Sequence, residues 1–311
     1  MSRSDNVPGY PEYSGRRMKK TTGTIIKAQS GRYEVFTTEK ERLVCLPRGK
    51  LRLGVGGLLV GDHVRVECRD GKNLIEEVYP RTGSFVRPAV ANVDQLILFS
   101  SGAIPITDPY LIDRVCVTAA MQNVSCVLVV NKIDLDEASE LRRIYGHVGL
   151  PVIPTCAIDG RGIDELRTCL AGKISVFTGN SGVGKSSILN ALEPGLGLRV
   201  AEISKKLGRG RHTTRHVELY PLSCGGWVAD TPGFASFDAQ QIEPVPADEL
   251  PFAFPEFAPF LGHCRFRDCA HRSEPDCAVT AALREGKIEP TRYASYCRLR
   301  DLAVSQTTPK G

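Results

Sequence analysis

The sequence predicts a multidomain protein: a small N-terminal β-barrel, a central α/β domain on a parallel sheet, and a C-terminal helical segment ordered by metal. Three observations carry this. Short alternating segments split by glycine turns fill residues 21–82. Apolar strands alternate with helical stretches across 88–245, and three cysteines and a histidine cluster within 246–311.

The 311 residues suit two or three domains rather than one. Hydrophobic residues make up 42% and charged residues 24%, ordinary proportions for a globular protein. No apolar run nears the roughly 18 residues of a membrane-spanning helix. Residues 1–20 are polar and basic, lack the apolar core of a signal peptide, and read as a disordered tail. A cytoplasmic location with no membrane partner is expected, and there the 11 cysteines stay reduced. Most of them (Cys45, Cys68, Cys116, Cys126, Cys156, Cys169, Cys224 and Cys297) are scattered singly and read as small apolar residues. A net charge of +5 permits nucleic-acid binding without demanding it.

Within 21–82 the candidate strands are 23–26, 33–36, 42–45, 63–67 and 74–78, separated by turns at Ser30-Gly31, 54–57 and Asp70-Gly71. Five strands in about 60 residues describe a closed barrel, an OB-fold first and an SH3-like barrel second. Lys40, Arg42, Arg48, Lys50 and Arg52 make it basic, as a nucleic-acid-binding barrel would be. From Val93 the texture changes. Strands at 95–99, 126–130, 152–154 and 174–178 alternate with helices at 111–122, from near Asp136, and at 163–170. Such alternation covers both faces of a parallel sheet with helices.

The run Gly179, Asn180, Ser181, Gly182, Val183, Gly184, Lys185, Ser186 is a full GxxxxGK[ST] between a strand and a helix. Its amides turn inward to cradle phosphates, Lys185 reaches the β- and γ-phosphates, and the Ser186 hydroxyl binds Mg²⁺. The helix that begins there adds its positive end. A P-loop does not choose between ATP and GTP; Asn131-Lys132-Ile133-Asp134 does. The Asp134 carboxylate can accept from both N1–H and the exocyclic amine of guanine, a donor pair adenine lacks. Lys132 packs its stem over the base and Asn131 braces neighbouring loops. Thr155-Cys156-Ala157, after the next strand, fits a short loop whose backbone meets guanine O6.

Downstream, Asp230 and Gly233 open and close a DxxG motif at a strand end. Asp230 is placed to hold Mg²⁺ through water, and the Gly233 amide to sense the γ-phosphate. Between the P-loop and DxxG, residues 208–215 form the switch I candidate. Thr213 or Thr214 completes the Mg²⁺ shell there, with Thr214 taken as the ligand beside Ser186. Arg199, Lys205, Lys206, Arg209, Arg211 and Arg215 crowd the same stretch against a single acid, Glu202. A basic segment ordered by γ-phosphate can couple nucleotide state to an anionic partner.

The motif order is unusual, with the base motif ahead of the P-loop. One sheet still accommodates it if the chain enters at a different point, so the central part is a P-loop GTPase domain with circularly permuted topology. The chain then leaves the domain soon after DxxG, which puts switch II next to the C-terminal domain. Phe234 follows DxxG where Ras-type proteins have a water-orienting glutamine, so slow intrinsic hydrolysis is expected. His212 is the candidate to position or activate water in its stead. Some permuted GTPases bind K⁺ with an asparagine at the fourth P-loop position; Gly182 stands there, and no K⁺ dependence is expected.

Cys264, Cys269, His271 and Cys277 offer a Cys₃His set within a short polar loop. Four protein ligands leave no open position, which points to one structural Zn²⁺ rather than hydrolytic metal chemistry. Zinc would order a segment too polar to build its own core.

These motifs together, with residues 86–95, the P-loop extended through Ser187, and the 210–214 stretch, resemble the ribosome small-subunit-dependent GTPase A family (RsgA, also called YjeQ). The resemblance covers nearly everything after Thr21. It implies an N-terminal OB-fold, a permuted GTPase domain and a C-terminal zinc domain. It further implies action in late maturation of the small (30S) ribosomal subunit and its rRNA, with GTP hydrolysed to GDP and phosphate when the subunit stimulates it. His212 matches the family's switch I histidine, implicated in hydrolysis. A monomer is expected. The competing readings are a GTP-dependent switch acting on a protein partner or membrane, and a nucleotide-binding scaffold with negligible hydrolysis.

Overall fold

The computed structural model describes residues 19–52, 57–69, 71–85, 89–196, 217–230 and 245–307; the tail expected at 1–20 falls almost wholly outside them. The first strand is long enough to serve two neighbours, and this closes the barrel. β1 (Lys19–Gln29) pairs antiparallel with β4 (His63–Arg69) through its first half and with β2 (Arg32–Thr37) through its second. β3 (Arg42–Pro47) follows β2, β5 (Lys72–Val78) lies parallel to β3, and β4 joins β5 back to β1. The order β1-β2-β3-β5-β4-β1, with one parallel pair, is that of an OB-fold and sets aside the SH3-like alternative. Alternation sends Ile25, Val35, Cys45, Val64, Val66 and Ile75 inward, where all are buried. Ser30 and Gly31, at φ 50° and 75°, make the two-residue hairpin between β1 and β2. Part of the expected basic charge is neutralised, since Arg42 pairs with Glu34 at 3.0 Å and Arg48 with Glu76.

A short ladder of β6 (Ser84–Phe85) and β7 (Val90–Ala91) leads to the central sheet. There β8 (Gln95–Ser101), β9 (Ser125–Asn131), β10 (Val152–Pro154), β11 (Ile174–Gly179) and β13 (Trp227–Asp230) run parallel in the order β10-β9-β8-β11-β13. β12 (Glu218–Pro221) adds antiparallel to β13. Every residue of β8 is buried because both faces are covered. Leu96 and Leu98 share one core with Ile112 and Val115 of α1 (Pro109–Met121) and Leu141 and Ile144 of α2 (Ser139–His147). Ile97 and Phe99 share the other with Leu166 of α3 (Ile163–Leu170) and Ile188 of α4 (Lys185–Leu192). α2 begins at Ser139 rather than near Asp136. The Asp136 carboxylate accepts the Ala138 N–H at 2.6 Å, and Ala138 takes a left-handed φ of 47°, so the chain turns once more before coiling.

The barrel joins this sheet edge to edge. Lys27 of β1 pairs with Glu218 of β12 and its Nζ lies 2.9 Å from the Glu218 carboxylate, while Phe36 meets Trp227 edge to face at 5.1 Å. Arg81 grips both oxygens of the buried Asp62 (2.7 and 2.9 Å), and Asn92 donates to Gly61 O at 2.9 Å, so the connection is fastened as well.

The C-terminal part packs on α1 and α2. Two 3₁₀ turns, Leu250–Ala253 and Pro255–Phe260, and two helices, α5 (Ala278–Arg284) and α6 (Pro290–Thr307), surround a cluster of Phe254, Phe257 and Tyr296 that also takes in Val117 of α1. Arg292 of α6 is buried between two carboxylates: Nη1 donates to Asp113 of α1 at 2.7 Å, and Nε and Nη2 to Glu256 at 2.7 and 3.0 Å. Tyr145 of α2 donates to the same Asp113 oxygen at 2.8 Å. Burial works against the Arg292 charge, but the Glu256 and Asp113 carboxylates outweigh it and hold the guanidinium protonated. Arg143 and His147 of α2 both meet Glu289 at 2.7 Å. The C-terminal domain is thus keyed to the helices beside the base motif.

Candidate nucleotide site and metal-binding cluster

The described motifs all emerge from the carboxyl ends of parallel strands, the edge at which open α/β sheets bind ligands. β11 ends at Gly179 and opens the P-loop, β9 ends at Asn131, β10 leads into Thr155, and β13 ends at Asp230. Because β8 and β9 lie to one side of β11 and β13 to the other, the P-loop sits between the base motif and the start of DxxG.

Asn131 is buried, and its Nδ2 donates to Val183 O at 2.8 Å, joining the base motif to the P-loop. Gly184, at φ 97°, lies so close to that amide that a Cβ would overlap it, which leaves glycine as the residue that fits. Lys185 Nζ donates to the carbonyls of Gly179 at 2.6 Å and Asn180 at 2.8 Å. Burial lowers its pKa from 10.5 to about 8, the mark of an ammonium short of counter-charge. Val183 is buried and anchors the loop, while Ser181, Gly182, Ser186 and Ser187 are exposed.

On the base side, Lys132 has φ 64° and donates from Nζ to Ile104 O at 2.8 Å. Asp134 is exposed, and its Oδ1 accepts from the Cys156 thiol at 3.2 Å. Thr155 and Cys156 are buried, Ala157 partly so; the Thr155 N–H reaches Val130 O at 2.7 Å and the Ile133 N–H reaches Thr155 O at 3.3 Å, which binds the two base loops together. His212, Thr213, Thr214, Gly233 and the basic run 199–215 lie outside the described residues. The loop at 102–107, which no sequence motif marks, also borders these residues: besides Ile104 O, its Pro105 ring lies 3.4 Å from where a Cβ on Gly182 would stand. It carries no phosphate or base motif, so only proximity reveals it.

Cys264, Cys269, His271 and Cys277 bring their ligand atoms within 4.8 Å of one another. His271 Nδ1 is 3.5 Å from both Cys264 Sγ and Cys277 Sγ, and those sulfurs are 3.9 Å apart. Tetrahedral zinc with ordinary bond lengths asks for about 3.6 Å between nitrogen and sulfur and about 3.8 Å between sulfurs, so the residues fit the ion. Burial keeps the His271 imidazole below its usual pKa and hence neutral, as a ligand must be. The loop is braced from outside: Tyr293 of α6 donates to His271 O at 2.8 Å, Tyr296 to Ala270 O at 2.8 Å, and Glu274 accepts the Ala270 and Arg272 N–H groups at 2.8 Å.

Comparison with known proteins agrees with this geometry. Residues 78–240 match the model of the RsgA GTPase family, and residues 22–74 that of the RsgA N-terminal domain. The chain is 43% identical to the small ribosomal subunit biogenesis GTPase RsgA of Moorella thermoacetica, over 88% of this chain and 94% of the relative. It is 45% identical to the protein of the same name from Thermotoga neapolitana, over 89% and 95%. Among solved structures it resembles YjeQ from Thermotoga maritima, with a TM-score of 0.79 and 37% identity over 92% of this chain and 99% of that one. It also resembles YloQ, described as a circularly permuted GTPase, with a TM-score of 0.77 and 31% identity over 96% and 99%. With the family model spanning more than half the chain and the relatives spanning nearly all of it, this chain belongs to the RsgA family of circularly permuted GTPases.

Proposed function

We propose that this GTPase acts on the small (30S) ribosomal subunit late in its maturation, binding GTP and hydrolysing it to GDP and phosphate when the subunit stimulates it. The observation that carries the reading is the Asn131–Val183 hydrogen bond, which makes one site of the base motif and the P-loop; the relatives' names supply the ribosomal target. Lys185 would exchange the Gly179 and Asn180 carbonyls for phosphate oxygens, a gain for an ammonium that burial now disfavours. Asp134 would take guanine N1–H and its amine, with Thr155, Cys156 and Ala157 meeting O6. Mg²⁺, bound with the triphosphate and held by Ser186, Thr213 or Thr214 and Asp230, supplies charge neutralisation between the phosphates. His212 would position water, and Gly233 would sense the γ-phosphate. Zn²⁺ would serve structure alone. The basic run at 199–215 and the barrel would contact rRNA, and the protein would work as a cytoplasmic monomer. Among the described residues no helix is long and apolar enough to cross a membrane.

The test is GTP turnover measured alone, with small subunits, with large subunits, and at raised salt. Stimulation by small subunits only, weakened by salt, is expected; no stimulation by any ribosomal particle would defeat the reading. His212→Ala should lower stimulated turnover by about 10²-fold or more and leave GDP affinity unchanged, and normal turnover would remove His212 from its role.

A further inference from the structure

Cys156 looks in the sequence like one more scattered cysteine, yet its thiol is 1% exposed and points at the residue that reads the base. A thiol is a weak donor, but a carboxylate acceptor strengthens the bond. The loop that carries it is closed on itself. The Cys156 N–H donates to Arg161 O and the Gly160 N–H to Cys156 O, both at 3.0 Å. Gly162, at φ 73°, packs against Pro154 O with no room for a Cβ. Thr155 fastens the loop to β9, so the sulfur has a fixed position.

A second carboxylate, Asp159, also lies beside the thiol. Both of its oxygens accept from Arg161, Oδ1 from the backbone N–H at 3.0 Å and Oδ2 from Nε at 2.8 Å. Arg161 neutralises that carboxylate, and the thiol's 3.2 Å hydrogen bond is to Asp134 Oδ1. Asp134 is exposed, and the thiol is the only hydrogen-bond partner of its carboxylate among the described residues. Without that tether the carboxylate would turn freely about its last side-chain bond. Guanine needs both oxygens at once, one for N1–H and one for the exocyclic amine. Hypoxanthine has N1–H and no amine, so one oxygen suffices.

We propose that Cys156 is a positioning residue for base selection: its thiol holds the Asp134 carboxylate in the plane where both oxygens face guanine, and so sharpens the choice of guanine over hypoxanthine. This rests on Asn131–Asp134 being the guanine-binding motif. The experiment titrates GDP and IDP by calorimetry into the full-length protein and into its Cys156→Ala, Cys156→Val and Cys156→Ser variants, with melting of each nucleotide-free protein alongside. The two apolar variants should lose about three- to tenfold in GDP affinity and less in IDP affinity, which shrinks the GDP/IDP ratio. Serine, a stronger donor, should restore the ratio. The apolar variants differ in size, so a folding defect in one leaves the other to be read. An equal loss for both nucleotides, an unchanged ratio, or failure of both apolar variants to fold overturns the proposal, because the thiol then serves packing. Wild-type protein that does not prefer GDP to ADP would instead defeat the guanine reading beneath it.

Discussion

Nucleotide binding should take up a proton at Lys185. In the nucleotide-free protein its pKa is about 8, because burial disfavours the charge and its hydrogen-bond partners among the described residues are two backbone carbonyls. Phosphates restore opposite charge and raise the pKa again. The affinity for GDP is then complete below pH 8 and falls as pH rises through it, by about twofold at pH 8 and about tenfold at pH 9. Binding should absorb about half a proton at pH 8 and almost none at pH 6.5. GDP suits the experiment because its terminal phosphate, with a pKa near about 6, is already ionised across this range. Calorimetry in buffers of different ionisation enthalpy reads the proton count directly. Lys185→Arg provides the control, since a guanidinium stays charged and whatever affinity remains should vary with pH only through the loss of guanine N1–H at the alkaline end. Stability has the opposite slope. Between pH 8 and 10.5 the unfolded chain binds more protons than the folded one, so the nucleotide-free protein gains stability with rising pH, up to about 3 kcal/mol. A flat GDP affinity to pH 10 with no proton uptake would refute the reasoning.

Three further outcomes are expected. Gly184→Ala places a Cβ on the Asn131 amide at positive φ, and the combined strain and lost hydrogen bond should weaken GDP binding by about thirtyfold in the same titration. Arg292→Ala strands Asp113 and Glu256 among buried neighbours and should cost about 3–5 kcal/mol in urea unfolding, with an early loss of the C-terminal domain by hydrogen exchange. Cys277→Ser should reduce zinc, measured by elemental analysis, from about one ion per chain to almost none, and should expose 264–277 to protease.

The features legible in the sequence are those whose chemistry lies within a few residues. The P-loop spacing, Asn131 to Asp134, and the four candidate ligands from Cys264 to Cys277 are local patterns; Asn131 reaches the P-loop and the four candidate ligand atoms lie within 4.8 Å of one another. Strand positions in the barrel and its closure were legible too, because alternation is local and five short strands suffice to close; which strands pair, the parallel β3 and β5 among them, was not. β12 escaped notice since four residues ending in proline make too short a pattern. Asp113 and Arg292 are each unremarkable on a helix, and only packing makes them a pair. Ile104 contributes a carbonyl, which every residue has, so nothing in its side chain announces its contact with Lys132.

The buried Asp113–Arg292 contact also imposes an order on biosynthesis. Asp113 leaves the ribosome 179 residues before the guanidinium that neutralises it. Chains fold from the N-terminal side as they emerge. Until α6 arrives, the Asp113 carboxylate has the Tyr145 hydroxyl and water as its partners, and the α1 face that α6 covers stays open. A nascent chain stopped short of α6 should therefore hold its nucleotide fold less firmly than the finished protein. Docking of α6 is then the step that supplies the missing charge and firms the nucleotide fold.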